Sequence, residues 1–398
     1  MNLRQSVFGE VAVTSGQHVT CVDIGSLIRR LLLFDRVVIK SIRLREIPVL
    51  VRAFQKAGFT QLLNSGLLSF SCEFTSLIVD VSRGGVRDIP PNHFSFGIVD
   101  AAHRESDLRA QFVALQSVPG LSNSDRAALE EVVWNSLVRP HETYGRDLLS
   151  QFDNDIRTNN PALKCAILER LGAELAPYGL PVSDVSVRVQ EVKHRVFHID
   201  APFASYGFSA DKSHGLLQAA LLAVANLDTR LANMQAYSAI TGFLDREAPL
   251  LFGRLAGVMA PLNPDVAEGQ FQRVIELADI PDFKPGQKVD VERLLRARDS
   301  AECREFREWL SSAEDMSDSQ IKEMVASVRS KIASLAGSTT GKVLRLATTT
   351  GVGFIPIVGP IAGAAAGAID SFLVDRVLPK SGVVAFLSET YPSLFVSS

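Results

Sequence analysis

Along the first hundred residues, branched apolar runs alternate with segments whose apolar positions recur every three to four residues. Residues 37–44 (VVIKSIRL), 67–74 and 76–81 are rich in strand formers, whereas 46–57 spaces Ile47, Leu50 and Phe54 along one helical face, with Gly58 as the expected C-terminal cap. Residues 83–92 concentrate Gly and Pro and predict a loop, and 94–99 predict one more strand. This pattern makes 1–103 a mixed α/β domain.

From Ser106 the period becomes helical. Helices are expected over 122–138, 144–156 and 161–175, the last opened by Asn160 as N-cap and Pro161 at the first helical position. One strand interrupts them at 183–198, where Val185, Val187 and Val189 alternate with polar residues. The longest helix is expected over 211–240, with Leu217, Val224 and Leu231 in one row and Leu227 and Met234 beside them as a core stripe. Further helices are predicted at 246–259, 265–277, 289–310 and 317–335, the last with Ser317 and Gln320 as a capping box. Residues 104–337 therefore read as a mainly helical domain with one strand near 183–198. The fold class is α+β, predominantly α-helical.

Residues 338–398 have a different character. The stretch 346–369 carries no charge and places Gly359, Gly363 and Gly367 four residues apart, on one side of a helix, where a missing side chain lets another backbone approach. Three glycines in an exposed helix cost about 1 kcal/mol each relative to alanine, so close packing has to offset them. The stretch is long enough to cross a bilayer, but Pro356 and Pro360 each remove a backbone donor and predict a turn between two shorter helices. A glycine-rich helical hairpin, buried in protein or inserted on activation, fits these residues better than a single span.

Composition narrows the function classes. With 46% apolar and 21% charged residues the chain is neither disordered in type nor a multi-spanning membrane protein, and a net charge of −3 disfavours nucleic acid as a partner. Residues 1–60 hold nine Lys/Arg against four Asp/Glu; Arg29 and Arg30, set in apolar helix text, are expected at its solvated edge. Cys21, Cys72, Cys165 and Cys303 are scattered without a CxxC pair, which suits small buried residues in a reducing cytoplasm. The opening residues lack the apolar run of a secretion signal. The expected location is cytoplasmic, with the C-terminal region as the one membrane contact.

Three groups carry candidate chemistry. His194, His198 and Asp200, two and four residues apart on one expected strand, share a face and present two imidazoles and a carboxylate to a divalent metal. His93, Asp100 and His103 form a second set across a strand-to-helix junction. Asp184 with Glu191 and Lys193 has the residue types of a metal-dependent nuclease. No phosphate-binding Walker loop, GxGxxG, HExxH or GxSxG occurs.

The tail from Gly341 through AGAAAGAID to YPSLF at 391–395, together with SAECREFREWL at 300–310, resembles a bacterial protein family with a glycine-rich C-terminal hairpin and no assigned activity. The resemblance implies a bacterial origin and carries over no catalytic residue. Residues 167–189 (ILERLGAELAPYGLPVSDVSVRV) are similar to the helix, glycine and strand passage of stomatin-type or prohibitin-type membrane scaffolds, though the chain lacks their N-terminal anchor and charged coiled coil. The expectation is a non-enzymatic protein-interaction or membrane-active module, by analogy a bacterial stress or phage-defence effector, with a protein partner or self-association and no cofactor. The alternatives are a hydrolase or nuclease using a divalent metal, and a soluble structural protein whose hairpin is only core packing.

Overall fold

The computed structural model describes residues 6–9, 12–14, 20–41, 44–72, 74–80, 93–101, 109–110, 112, 115–116, 118–139, 143–157, 168, 170–180, 188–193, 196–200, 202–237, 239–240, 263–312, 316–323 and 381–396. It is a predominantly α-helical α+β fold.

The first strands and helices are β1 (Ser6–Gly9), β2 (Ala12–Thr14), β3 (Thr20–Val22), α1 (Ile24–Leu33), β4 (Arg36–Lys40), α2 (Ile47–Asn64) and β5 (Leu68–Ser71). β2 and β3 form a hairpin, while β1, β4 and β5 pair in parallel. The Asp23 carboxylate caps α1 by accepting from the Ser26 N–H at 2.8 Å, and Leu27, Ile28, Leu31 and Leu32 of that helix are fully buried. Gly58 does not end α2 as the sequence suggests. Phe59, Leu62 and Leu63 extend the buried stripe, so the helix continues past a kink at Gln55 (φ 56°). A Cβ on Gly58 would lie 2.6 Å from Val291 Cγ2, and the glycine serves close approach. The turn falls later, at Gly66, with φ +72° and its N–H donating to Leu63 O.

The next elements are β6 (Phe74–Asp80), β7 (His93–Ala101), α3 (Asn123–Asn135), α4 (Tyr144–Arg157), β8 (Arg188–Lys193), β9 (Val196–Asp200), α5 (Ala210–Tyr237) and β10 (Ala239–Ile240). β10 joins β1, giving a parallel sheet of order β10-β1-β4-β5; the others form an antiparallel sheet of order β6-β7-β9-β8. Where one strand is expected at 183–198, two antiparallel strands, β8 and β9, turn back on each other. A bulge between Glu191 and Lys193 accompanies that turn.

One face of the antiparallel sheet presents Leu77, Val79, Phe94, Phe96, Phe197 and Ile199 to Phe152 of α4 and Leu217, Leu221 and Val224 of α5. The second half of α5, with Leu227, Leu231 and Met234, enters the larger core around α1 and α2. The apolar stripe read from sequence is thus shared between two cores. A 28-residue helix, about 42 Å long, is long enough to span both.

The chain then forms α6 (Pro264–Leu277), β11 (Lys288–Val289), α7 (Val291–Asp299), α8 (Ala301–Ser312), α9 (Ser381–Ala385) and β12 (Phe395–Val396). The helix expected over 289–310 is broken at Ser300, which is extended (ψ 158°) and accepts from the Cys303 N–H as the cap of α8. The Ser317 and Gln320 box forms as read: Gln320 Oε1 accepts from the Ser317 N–H at 2.8 Å. Cys72 and Cys303 are buried thiols; burial pushes that of Cys303 up to about 12.

Residues 381–396 return to the large core. Val383, Phe386, Tyr391 and Leu394 are buried in it, Phe386 stacks on Phe306 at 4.8 Å between ring centres, and β12 pairs with β11. Gly382 lets α9 approach α8, because a Cβ there would run into the Glu305 carboxylate. Packing therefore crosses residues 103 and 338, where the sequence pattern changes. Gly359, Gly363, Gly367, Pro356 and Pro360 lie outside the described residues. No described helix is long and apolar enough to cross a membrane.

Candidate functional site

The most developed polar arrangement ties the returning segment to α1. Arg29 is 3% exposed, and its guanidinium donates from Nε to Glu268 Oε1 at 2.8 Å, from Nη1 to Asp282 Oδ2 at 2.7 Å and from Nη2 to Gln272 Oε1 at 3.4 Å. The Tyr391 hydroxyl donates to the other oxygen of Asp282 at 2.5 Å. Burial opposes the charge on Arg29, but the hydrogen bond and charge of Glu268, aided by Asp282, hold its pKa above the ordinary value. Burial, followed by the Asp282 charge and hydrogen bond, raises the Tyr391 phenol well above its ordinary range.

Arg29 corrects the sequence reading, which sets it at a solvated edge. A visible cue was Gly25, four residues earlier: a Cβ there would lie 3.2 Å from Arg29 Nη1, so the glycine leaves room for the guanidinium to turn toward Asp282. Arg30 takes the outer position and pairs with Asp265 at 2.8 Å. Arg298 and Arg307 add further links from α7 and α8 to the end of α1, donating to the Phe34 and Leu32 carbonyls.

A second buried polar group sits at the carboxyl ends of the parallel strands, the edge where such sheets bind ligands. Ser41 donates its hydroxyl to the Glu46 carboxylate and its N–H to Ser71 O, and the Ser71 hydroxyl donates to the Tyr237 oxygen at 2.7 Å. All four residues are buried. These hydrogen bonds join the start of α2, β5 and α5.

The histidine candidates lie on the antiparallel sheet. Of the expected triplet, His198 is on β9, His194 lies outside the described residues, and Asp200 is described only through its backbone pairing with Arg188. In the second set His93 is on β7, Asp100 is paired in register with Thr75, and His103 lies outside the described residues. Glu191 and Lys193 flank the β8 bulge, and Asp184 lies outside the described residues. The structure brings one histidine of each set together: His93 pairs with His198 across β7 and β9, with ring centres 4.6 Å apart. Among the described residues no group of three or more His, Cys, Asp or Glu side chains could hold a metal.

Comparison with protein families, with curated proteins and with solved structures gives no match for this chain. A function has to be argued from its own geometry.

Proposed function

We propose that the protein is a non-enzymatic scaffold that presents its glycine-rich segment to a protein partner, a second copy or a bilayer. The observation that carries this reading is the return of residues 381–396 to the core that also buries Met316 and Ile321. The glycine-rich sequence is thereby held by both flanks on one body. A segment tethered in this way enters and leaves a bilayer from the same side, which favours a hairpin turning at Pro356 and Pro360 over a single span. The Arg29, Asp282 and Tyr391 contacts make the downstream tether a specific one. A triggered stress or defence role would use a segment held at both flanks, and the location would be cytoplasmic with conditional membrane association.

The test is fractionation of full-length protein, with an alkaline carbonate wash, beside a variant in which 341–376 is replaced by a Gly/Ser linker. Residues 381–396 must be kept, because removing them would open the core. Carbonate-resistant or self-associated full-length protein, both lost in the linker variant, is expected. Identical fractionation and oligomeric state for the two proteins would refute the reading.

A further inference from the structure

We infer that His93 and His198 form a binding site for a first-row divalent transition metal on the outer face of the antiparallel sheet. In register, His93 opposes His198, which opposes Gln190 on its other side, so the three form a row across β7, β9 and β8. The alternation of the strands fixes the face. Phe94, Phe197 and Ile199 point into the core, and the two histidines between them therefore point away from it.

Two observations make this row more than a polar surface. The imidazole centres are 4.6 Å apart and tilted by 46°. Metal–nitrogen bonds of about 2.0–2.1 Å require two ligating nitrogens within roughly 4 Å of each other, which rings at this separation reach by small side-chain rotations. The His198 Nδ1 is also shut off from solvent and has no hydrogen-bond partner among the described residues. An ion would give that nitrogen a partner.

The donor set decides the class of ion. Two neutral imidazoles suit Zn²⁺, Cu²⁺ or Ni²⁺, with water filling the remaining positions, and do not suit Mg²⁺ or Ca²⁺, which require oxygen ligands. His93 and His198 are half-buried and Gln190 beside them is exposed, which leaves this row open to an entering ion. The site is independent of the tethered segment. It draws one ligand from each of two sequence clusters 105 positions apart, and strand pairing alone assembles it.

Full-length protein stripped of metal is titrated with Zn²⁺ by calorimetry and with Cu²⁺ by electron paramagnetic resonance, beside His93→Gln, His198→Gln and His194→Gln. One ion per chain is expected, with two imidazole nitrogens in the Cu²⁺ spectrum. His93→Gln and His198→Gln should each weaken binding by about tenfold or more and remove one nitrogen signal, while His194→Gln leaves both readouts unchanged. Zn²⁺ should also raise the thermal midpoint of the wild type, and less so that of the two ligand variants. No binding by the folded wild type would overturn the proposal, as would binding that survives His93→Gln or is lost in His194→Gln.

Discussion

Replacing Arg29 with methionine tests whether the ion network is the clamp that joins α1 to the rest of the large core. The substitution keeps most of the side-chain volume and removes the charge, leaving Glu268 and Asp282 facing each other without a cation. Breaking a buried pair from one side costs about 3–5 kcal/mol. The Glu268 and Asp282 side chains retain 13% and 32% exposure, so water recovers part of that cost and the expected loss lies near the lower end, about 3 kcal/mol. The two tryptophans, Trp134 and Trp309, both belong to or pack against this core, so intrinsic fluorescence in a urea titration reports its unfolding. A shift of the midpoint at unchanged slope gives the loss directly. Combined with Tyr391→Phe, the two changes should be non-additive by about 0.5 kcal/mol or more, because both act on Asp282. A loss below about 1 kcal/mol for Arg29→Met, or strict additivity, would show that the network does not join these elements.

Two further outcomes follow from the same packing. The folded Tyr391 phenol keeps its proton where an unfolded tyrosine, with a pKa near 10, loses it. Its stabilisation is therefore complete below about pH 10 and declines as pH rises, by up to about 1.4 kcal/mol per unit; urea midpoints measured from pH 8 to 11 should fall more steeply for wild type than for Tyr391→Phe, and parallel curves would contradict the shift. Gly58→Ala should destabilise the wild type by about 1 kcal/mol, since the new methyl overlaps Val291. In a Val291→Ala background the loss measured by urea denaturation should shrink, because the Cγ2 contact is gone and only the Cβ at 3.0 Å still crowds the new methyl; an unchanged loss would show that Val291 is not what Gly58 makes room for.

Local signals were legible wherever a segment's neighbours merely continued its pattern. The alternation around 94–99, the stripe from Leu217 to Met234 and the Ser317 box all appear in the structure as read. Readings failed where a distant contact set the outcome. Gly58 has the sequence look of a cap, but Val291, more than two hundred positions away, makes it a packing residue. Arg29 looks solvated until Glu268 and Asp282 arrive from another part of the chain. The neighbour of His198 across the sheet was hidden for the same reason: spacing along one strand carries no sign that β7 and β9 pairing sets His93 beside it. Short-range caps such as Ser317 with Gln320 are readable from spacing, whereas the long-range partners of Arg29 are not.

The return of residues 381–396 also sets an order of events during synthesis. Leu27, Phe54 and Phe271 are made long before Phe386 and Tyr391, with which they share a core. Contacts of such long sequence separation form late and leave apolar surface open to other binders meanwhile. The glycine-rich stretch leaves the ribosome inside that interval, already attached upstream and not yet fastened downstream. A chaperone or a membrane would meet it most easily then, and docking of Tyr391 onto Asp282 would close the opportunity.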